Sequence, residues 1–241
     1  MEKETKLELS NPMAIVVAGV LIAGAIYFSS VKPSTTAQVN QQPANQQQQL
    51  DSNASLEKVR AVDSTDHIRG NKNAEIKIVE YSDTECPFCK QFHLTMKKIM
   101  DEYGKTGKVA WVYRHSPIDG LHPKARKEAM ATECANELGG NDKFWQYLDR
   151  VYEITPSNNG LDLAELPKIA QYVGLNVADF NTCLNSDKYS QLIDRDTQNA
   201  VETGGGGTPW SIVIAKDGKK YSINGAQPYE MIKQNIDSLL K

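Results

Sequence analysis

Cysteine is scarce in this chain. Four cysteines among 241 residues are too few for a disulfide-dense scaffold, and a chain of this length buries enough core to fold without such staples. Basic charge is not in excess either. Lys and Arg number 27 against 30 Asp and Glu, a net charge of -3. With a pI near 5.9, this excludes a nucleic-acid binder held by a basic surface. A second C-x-x-C is missing, which removes the usual four-ligand zinc site. The shortages are uneven: Leu9 to Val31 carry no charged side chain, and every cysteine lies beyond residue 85.

The uncharged run has its apolar core at residues 13–31, MAIVVAGVLIAGAIYFSSV. As a helix it reaches roughly 28 Å, close to the ~30 Å hydrocarbon layer of a bilayer, and predicts a transmembrane signal-anchor. Residues 1–12 mix Lys3 and Lys6 with Glu2, Glu4 and Glu8, a weak positive leader. An uncleaved anchor with this segment in the cytoplasm is expected, a cleaved signal being the alternative. Residues 32–56 are rich in Gln, Asn, Ser, Thr and Pro. Such composition cannot repay its ordering entropy and predicts a disordered tether.

Residues 57–241 carry the patterning of a folded domain. EIKIVEYS, Glu75 to Ser82, reads as a strand. A helix is expected from Cys86 to about Tyr103, with Phe88, Phe92, Met96, Ile99 and Tyr103 at three- and four-residue steps. A strand at Lys108 to Arg114 follows. Then comes a long helical stretch from about His122 to Val201, broken near Thr155–Gly160 and Gly174. Two strands, Ser211 to Ala215 and Lys220 to Asn224, and a helix from Tyr229 to Leu240 close the chain. The order β-α-β, helices, β-β-α predicts an α/β fold with a helical insertion at about 120–202.

Cys86-Pro87-Phe88-Cys89 falls at the junction of the first strand and helix. A C-x-x-C beside a β-α-β pattern is a redox signature. A thiol at a helix N-terminus meets unpaired N–H groups and the positive end of the macrodipole, which favour the thiolate. Pro87 fits the first turn because it has no N–H to lose. The second cysteine, one turn on, can resolve a mixed disulfide. A zinc site and a purely structural bridge compete, but so short a loop gains little from closure.

IVEYSDTECPFCKQF, RHSPIDGLHPKARKEAMATECANELGGNDKFWQYLDRVY and GGGGTPW occur in that order. Together they resemble DsbA-like thiol:disulfide oxidoreductases, which have a thioredoxin-like fold with an inserted α-helical domain. The resemblance covers about residues 60–241. It implies that Cys86 is the exposed attacking cysteine and Cys89 its buried partner. It also implies that Thr208-Pro209 is a cis-proline loop opposite them, with Thr208 offering backbone groups to an extended substrate; an ordinary turn is the alternative. Glu80, in phase with Ile76 and Ile78, falls where the family carries a buried acid that relays a proton to the second cysteine. A solvent-facing glutamate satisfies the alternation equally well. Phe88 stands where strongly oxidising relatives have histidine, which puts a strongly oxidising potential in doubt. His93 is expected on the helix surface, and His115 and His122 in structural roles.

Relatives carry cysteines in contexts similar to Cys134 and Cys183. With Cys86 paired to Cys89, a Cys134–Cys183 bridge is the connectivity that remains, with two buried thiols as the alternative. The resemblance further implies no cofactor and no metal, a monomer, exported clients bearing thiols or disulfides, and a membrane partner for recycling. Disulfide introduction outside the cytoplasm is the expected activity. A reductase or isomerase, or a binding module without catalysis, are the alternatives.

Overall fold

The computed structural model describes residues 54–241. The expected cytoplasmic segment, membrane span and most of the tether lie outside the described residues. No helix among the described residues is long and apolar enough to cross a membrane. Leu56, the last residue expected in the tether, is instead buried against Val79, Tyr81 and Trp210.

Five strands form one sheet in the order β1-β3-β2-β4-β5. They are β1 (His67–Gly70), β2 (Ile76–Ser82), β3 (Val109–His115), β4 (Trp210–Ile214) and β5 (Lys220–Asn224). β2 lies in the middle, parallel to β3 and antiparallel to β4. Its run of β-branched and aromatic residues suits a strand covered on both faces. β3 is buried at every position. β1, antiparallel to β3 at the sheet edge, was not expected. Four residues of mixed polarity, HIRG, give no readable alternation.

Helix α1 (Pro87–Ile99) follows β2 and ends in a wider π-helical turn, Met100–Gly104. Its buried stripe is Cys89, Phe92, His93, Met96 and Ile99. Phe88, expected on this stripe, is instead 60% exposed. Between β3 and β4 lie α2 (Ala125–Ile154), α3 (Glu165–Tyr172), α4 (Val177–Leu184) and α5 (Ser190–Glu202). This is the inserted helical region. α6 (Tyr229–Leu239) packs its Ile232 and Ile236 into the core beneath α1.

The long stretch read as broken twice is broken four times. A turn near Ser186–Tyr189 separates α4 from α5, and α2 itself carries a non-helical residue, Gly140, at φ 72° and ψ -173°. Only glycine adopts that conformation without strain. α2 therefore serves two cores. Ala129, Met130, Ala131, Cys134, Ala135, Tyr147 and Val151 belong to the helical core of Leu166, Phe180 and Ile193. Phe144, Trp145, Leu148 and Tyr152 join Phe92 and Trp111 beneath the sheet.

Cys134 on α2 and Cys183 on α4 are joined by a disulfide, with Cα atoms 5.8 Å apart. The bridge closes a 49-residue separation, for which loop-closure entropy predicts about 4 kcal/mol of stabilisation. Replacing both cysteines by alanine should lower unfolding stability by that order in urea titration. A loss below about 1 kcal/mol would show that the bridge does not constrain the unfolded chain.

Candidate active site

Cys86 ends the β2–α1 loop in extended conformation (φ -76°, ψ 122°) as the N-cap residue, with Pro87 opening the helix and no acidic residue in the first turn. No side chain satisfies the first N–H groups. Those of Cys89 and Phe88 face the Cys86 sulfur. The sulfur therefore stands where a capping oxygen would otherwise sit.

Both cysteines are unbridged thiols. The expectation of an exposed Cys86 needs correction: it is 5% exposed, against 0% for Cys89. The reason is the β4 approach loop. The Thr208–Pro209 peptide is cis, and the Cys86 thiol donates to the Thr208 carbonyl at 3.4 Å. The loop is drawn close by Trp210, whose Nε1 donates to Thr203 Oγ1 at 3.0 Å. A Cβ on Gly205 would lie 2.9 Å from the Trp210 ring and 2.8 Å from the Ala200 carbonyl, so only glycine passes there.

The two thiols differ sharply in acidity. Cys86 is lowered to about 6, chiefly by a hydrogen bond from Cys89 and, against burial, by the N–H groups of Cys89 and Phe88 and the Thr208 hydroxyl. Cys89 is pushed well up by burial, by that same hydrogen bond and by the charges of Cys86 and Glu80. Such a pair has one nucleophile and one reserve thiol.

Glu80 is wholly buried in the central strand, opposite Tyr113 on β3 and Ser211 on β4. Trp111 Nε1 donates to its Oε2 at 2.8 Å. Burial raises its carboxyl to about 7, against the Ser82 hydroxyl and the Trp111 indole. Of the two orientations left open by strand alternation, the buried one is observed.

Asp83 was not singled out from the sequence, yet it organises the loop. Its N–H donates to Cys89 Sγ at 3.4 Å, and its carbonyl accepts from Cys86 N at 3.1 Å. Its carboxylate accepts from Glu85 N and Ile118 N, both at 2.8 Å, and lies 2.9 Å from His122 Nδ1. Glu85 ties the same loop to the helical region by accepting from Gly160 N and Leu161 N. Beside it, burial and the neighbouring Glu85 carboxylate push the Glu128 carboxyl up to about 9.

His93, expected at the surface, is 1% exposed. Its Nε2 lies 2.7 Å from Asp149 Oδ1 on α2. The signal was present in the sequence, since Cys89, His93 and Met96 share one helix face. His115 and His67 both approach Glu133 Oε1 through Nε2, at 2.9 and 2.7 Å. The three donor atoms lie within 4.8 Å of one another. His115 Nδ1, however, is buried without a hydrogen-bond partner among the described residues. A metal on Nε2 would move the proton there and strand an N–H, so the cluster acts as a hydrogen-bonded tie between β1, β3 and α2.

A thioredoxin sheet, a C-x-x-C at the start of α1 and a proline loop against it define a thiol:disulfide oxidoreductase. Residues 62–238 match the Thioredoxin_4 family model, described as Thioredoxin, and the chain belongs to that family. Among solved structures it is similar to Pseudomonas aeruginosa DsbA2, at 26% identity and TM-score 0.61, covering 75% of this chain and 97% of that one. It is also similar to Wolbachia pipientis alpha-DsbA1, at 26% and 0.65, covering 77% and 95%. The likeness is DsbA-type, helical insertion included. Among curated proteins, the Na(+)/H(+) antiporter NhaA 3 of Salinispora tropica is 31% identical over 144 residues, 60% of this chain. The chain spans about a fifth of that protein's length, 21%.

The raised carboxyl of Glu80 makes a stability prediction. Its unfolded value of 4.5 rises to about 7 in the fold. The stability linked to its proton is complete below pH 4.5 and is lost as pH climbs through about 7. Reduced Glu80→Gln protein should exceed wild type by roughly 3 kcal/mol at pH 8 and match it near pH 4. Chemical denaturation at the two pH values checks this, and equal stability at pH 8 would contradict it.

Proposed function

We propose that this protein introduces disulfides into exported proteins outside the cytoplasm, through Cys86 and Cys89, while tethered to a membrane by residues 13–31. The observation that carries the direction is the acidity of Cys86, lowered to about 6 while Cys89 is raised. A stabilised thiolate favours the reduced enzyme, and so makes its disulfide a better oxidant and Cys86 a better leaving group. The Cys134–Cys183 bridge, remote from the active pair, suits an oxidising compartment.

The proposed reaction starts from the Cys86–Cys89 disulfide. A client thiolate attacks Cys86 Sγ, the bond between Cys86 and Cys89 breaks, and Cys89 leaves with the electron pair. Glu80 supplies a proton to it. The client's second thiolate then attacks its own sulfur in the mixed disulfide and releases Cys86 as a thiolate, held by the N–H groups of Cys89 and Phe88. Thr208 offers its backbone to the extended client, and Pro209 fixes that offer. Recycling returns the two electrons to a redox partner in the membrane, which the tether keeps within reach.

The equilibrium of Cys86–Cys89 with glutathione tests the direction. A first-thiol value near 6 lies between those of thioredoxin and the strongest oxidants of this class. The expected potential therefore lies between about -270 and -120 mV. A potential at or below about -270 mV would favour the reductase reading. Cys86→Ser should abolish disulfide formation in a reduced client, and undiminished turnover would overturn the proposal.

A further inference from the structure

Glu85 stands directly before Cys86 and is wholly buried. One short turn of the helical region holds both its backbone and its side chain. Asn158 N donates to the Glu85 carbonyl at 2.7 Å. Gly160 N and Leu161 N each donate to one carboxylate oxygen, both at 3.2 Å. The turn that presents these N–H groups is strained. Ser157, Asn158 and Asn159 follow one another at φ 65°, 54° and 64°, a region crowded for L side chains. Such a run persists only where its surroundings fix it. Three further bonds help to do so. Asn159 Nδ2 donates to the Leu121 carbonyl at 3.0 Å, Lys90 Nζ to the Thr155 carbonyl at 2.5 Å and Lys124 Nζ to the Leu161 carbonyl at 2.7 Å.

A second acid faces this cradle. Glu128, in the first turn of α2, is wholly buried. Neither of its carboxyl oxygens has a hydrogen-bond partner among the described residues. The groups that bear on it from the loop before α1 are the Glu85 and Asp83 carboxylates and the Thr84 hydroxyl. Tyr147 faces it from further along α2. The cations of the flanking segments are engaged elsewhere: Lys90 and Lys124 on the two carbonyls, and His122 on Asp83.

Two carboxyls packed together without a cation cannot both ionise. The geometry decides which one keeps its charge. Glu85 accepts two N–H bonds, which suit a carboxylate; Glu128 accepts none. We propose that Glu128 holds a proton and shares it with Glu85, and that this acid pair is a latch that positions Cys86 by fixing the residue before it to the strained turn at 157–160. Both acids are positioning residues that act through the backbone of the loop. The proposal rests on Cys86 as the reacting thiol, in whichever direction the exchange runs.

The latch depends on pH. Burial and Glu85 raise the Glu128 carboxyl from 4.5 to about 9. The stabilisation linked to its proton is complete below pH 4.5 and is lost as pH climbs through about 9. Above that value two adjacent carboxylates repel, Glu85 leaves its cradle and the strained turn relaxes. Cys86 then loses the loop geometry that leaves it almost wholly buried.

Alkylation of the reduced full chain by iodoacetamide reads the position of Cys86, because Cys89 has no exposure. Cys86, at about 6, is ionised from about pH 7 upward. Its rate should therefore be level at first and then rise severalfold, with a midpoint at about 9. Glu128→Gln offers an amide N–H to Glu85 in place of the proton and cannot ionise. Its rate should match wild type near pH 7 and stay level to about pH 10. Glu128→Ala removes the donor and should show the raised rate already near pH 7. A level wild-type profile, a rise that persists in Glu128→Gln, or a Glu128→Ala profile like that of wild type would overturn the latch. A Cys86 that does not react at all would overturn its reading as the nucleophile, and the latch with it. Wild-type protein labelled with carbon-13 at its glutamate carboxyls gives a check that needs no variant. One resonance should titrate near 9, and the latch fails if none does. Calcium alone, in millimolar excess, should leave the alkylation profile unchanged. A profile levelled by calcium would put a cation rather than a proton between the two acids and overturn the proposal.

Discussion

A thiol without access to water, one turn behind a thiol at a helix N-terminus, is the constraint on which the rest of this molecule depends. Burial keeps Cys89 protonated. A protonated Cys89 can donate to the Cys86 sulfur, and that hydrogen bond is the largest single cause of the acidity of Cys86. The N–H groups of the first turn add to it because nothing else caps the helix. Cys89 lies in the same buried core as the aromatic rings of Phe92, Trp111 and Tyr152. Opening that core to water would stabilise the Cys89 thiolate and erase the difference between the two sulfurs.

The helical insertion belongs to this arrangement. α2 contributes Tyr152 and Trp145 to the core under the sheet and Cys134 to its own core. The loops on either side of it grip the turn before Cys86, through His122 and Ile118 on Asp83 and through Gly160 and Leu161 on Glu85. These bonds fix the Asp83 N–H against Cys89 Sγ. A charged side chain so placed is costly unless fully bonded, and the carboxylate of Asp83 has three partners.

Much of this is readable in the amino-acid sequence. β2, β3, β4 and β5 fall within one residue of their expected bounds because their β-branched runs are short and flanked by turns. Cys86-Pro87-Phe88-Cys89 announces a helix start by its proline. What is not readable depends on contacts distant along the chain. β1 exists because β3 offers an edge to pair with. His93 is buried because α2 brings Asp149 to meet it. Cys86 is covered because Gly205 lets Trp210 draw the proline loop near. Phe88 faces water because the stripe of α1 starts at Cys89, not one residue earlier. Local pattern reports periodicity, and only the packed chain decides which face the period serves.

The central claim is that one thiol of the pair is acidic because the other is buried. Thiolate absorbance of the reduced protein, followed from pH 4 to 9, tests it directly. The account predicts a single ionisation with a midpoint at about 6 that vanishes in Cys86→Ser, with no second step in that range. Two overlapping steps near the ordinary thiol value of about 8.5 would contradict it.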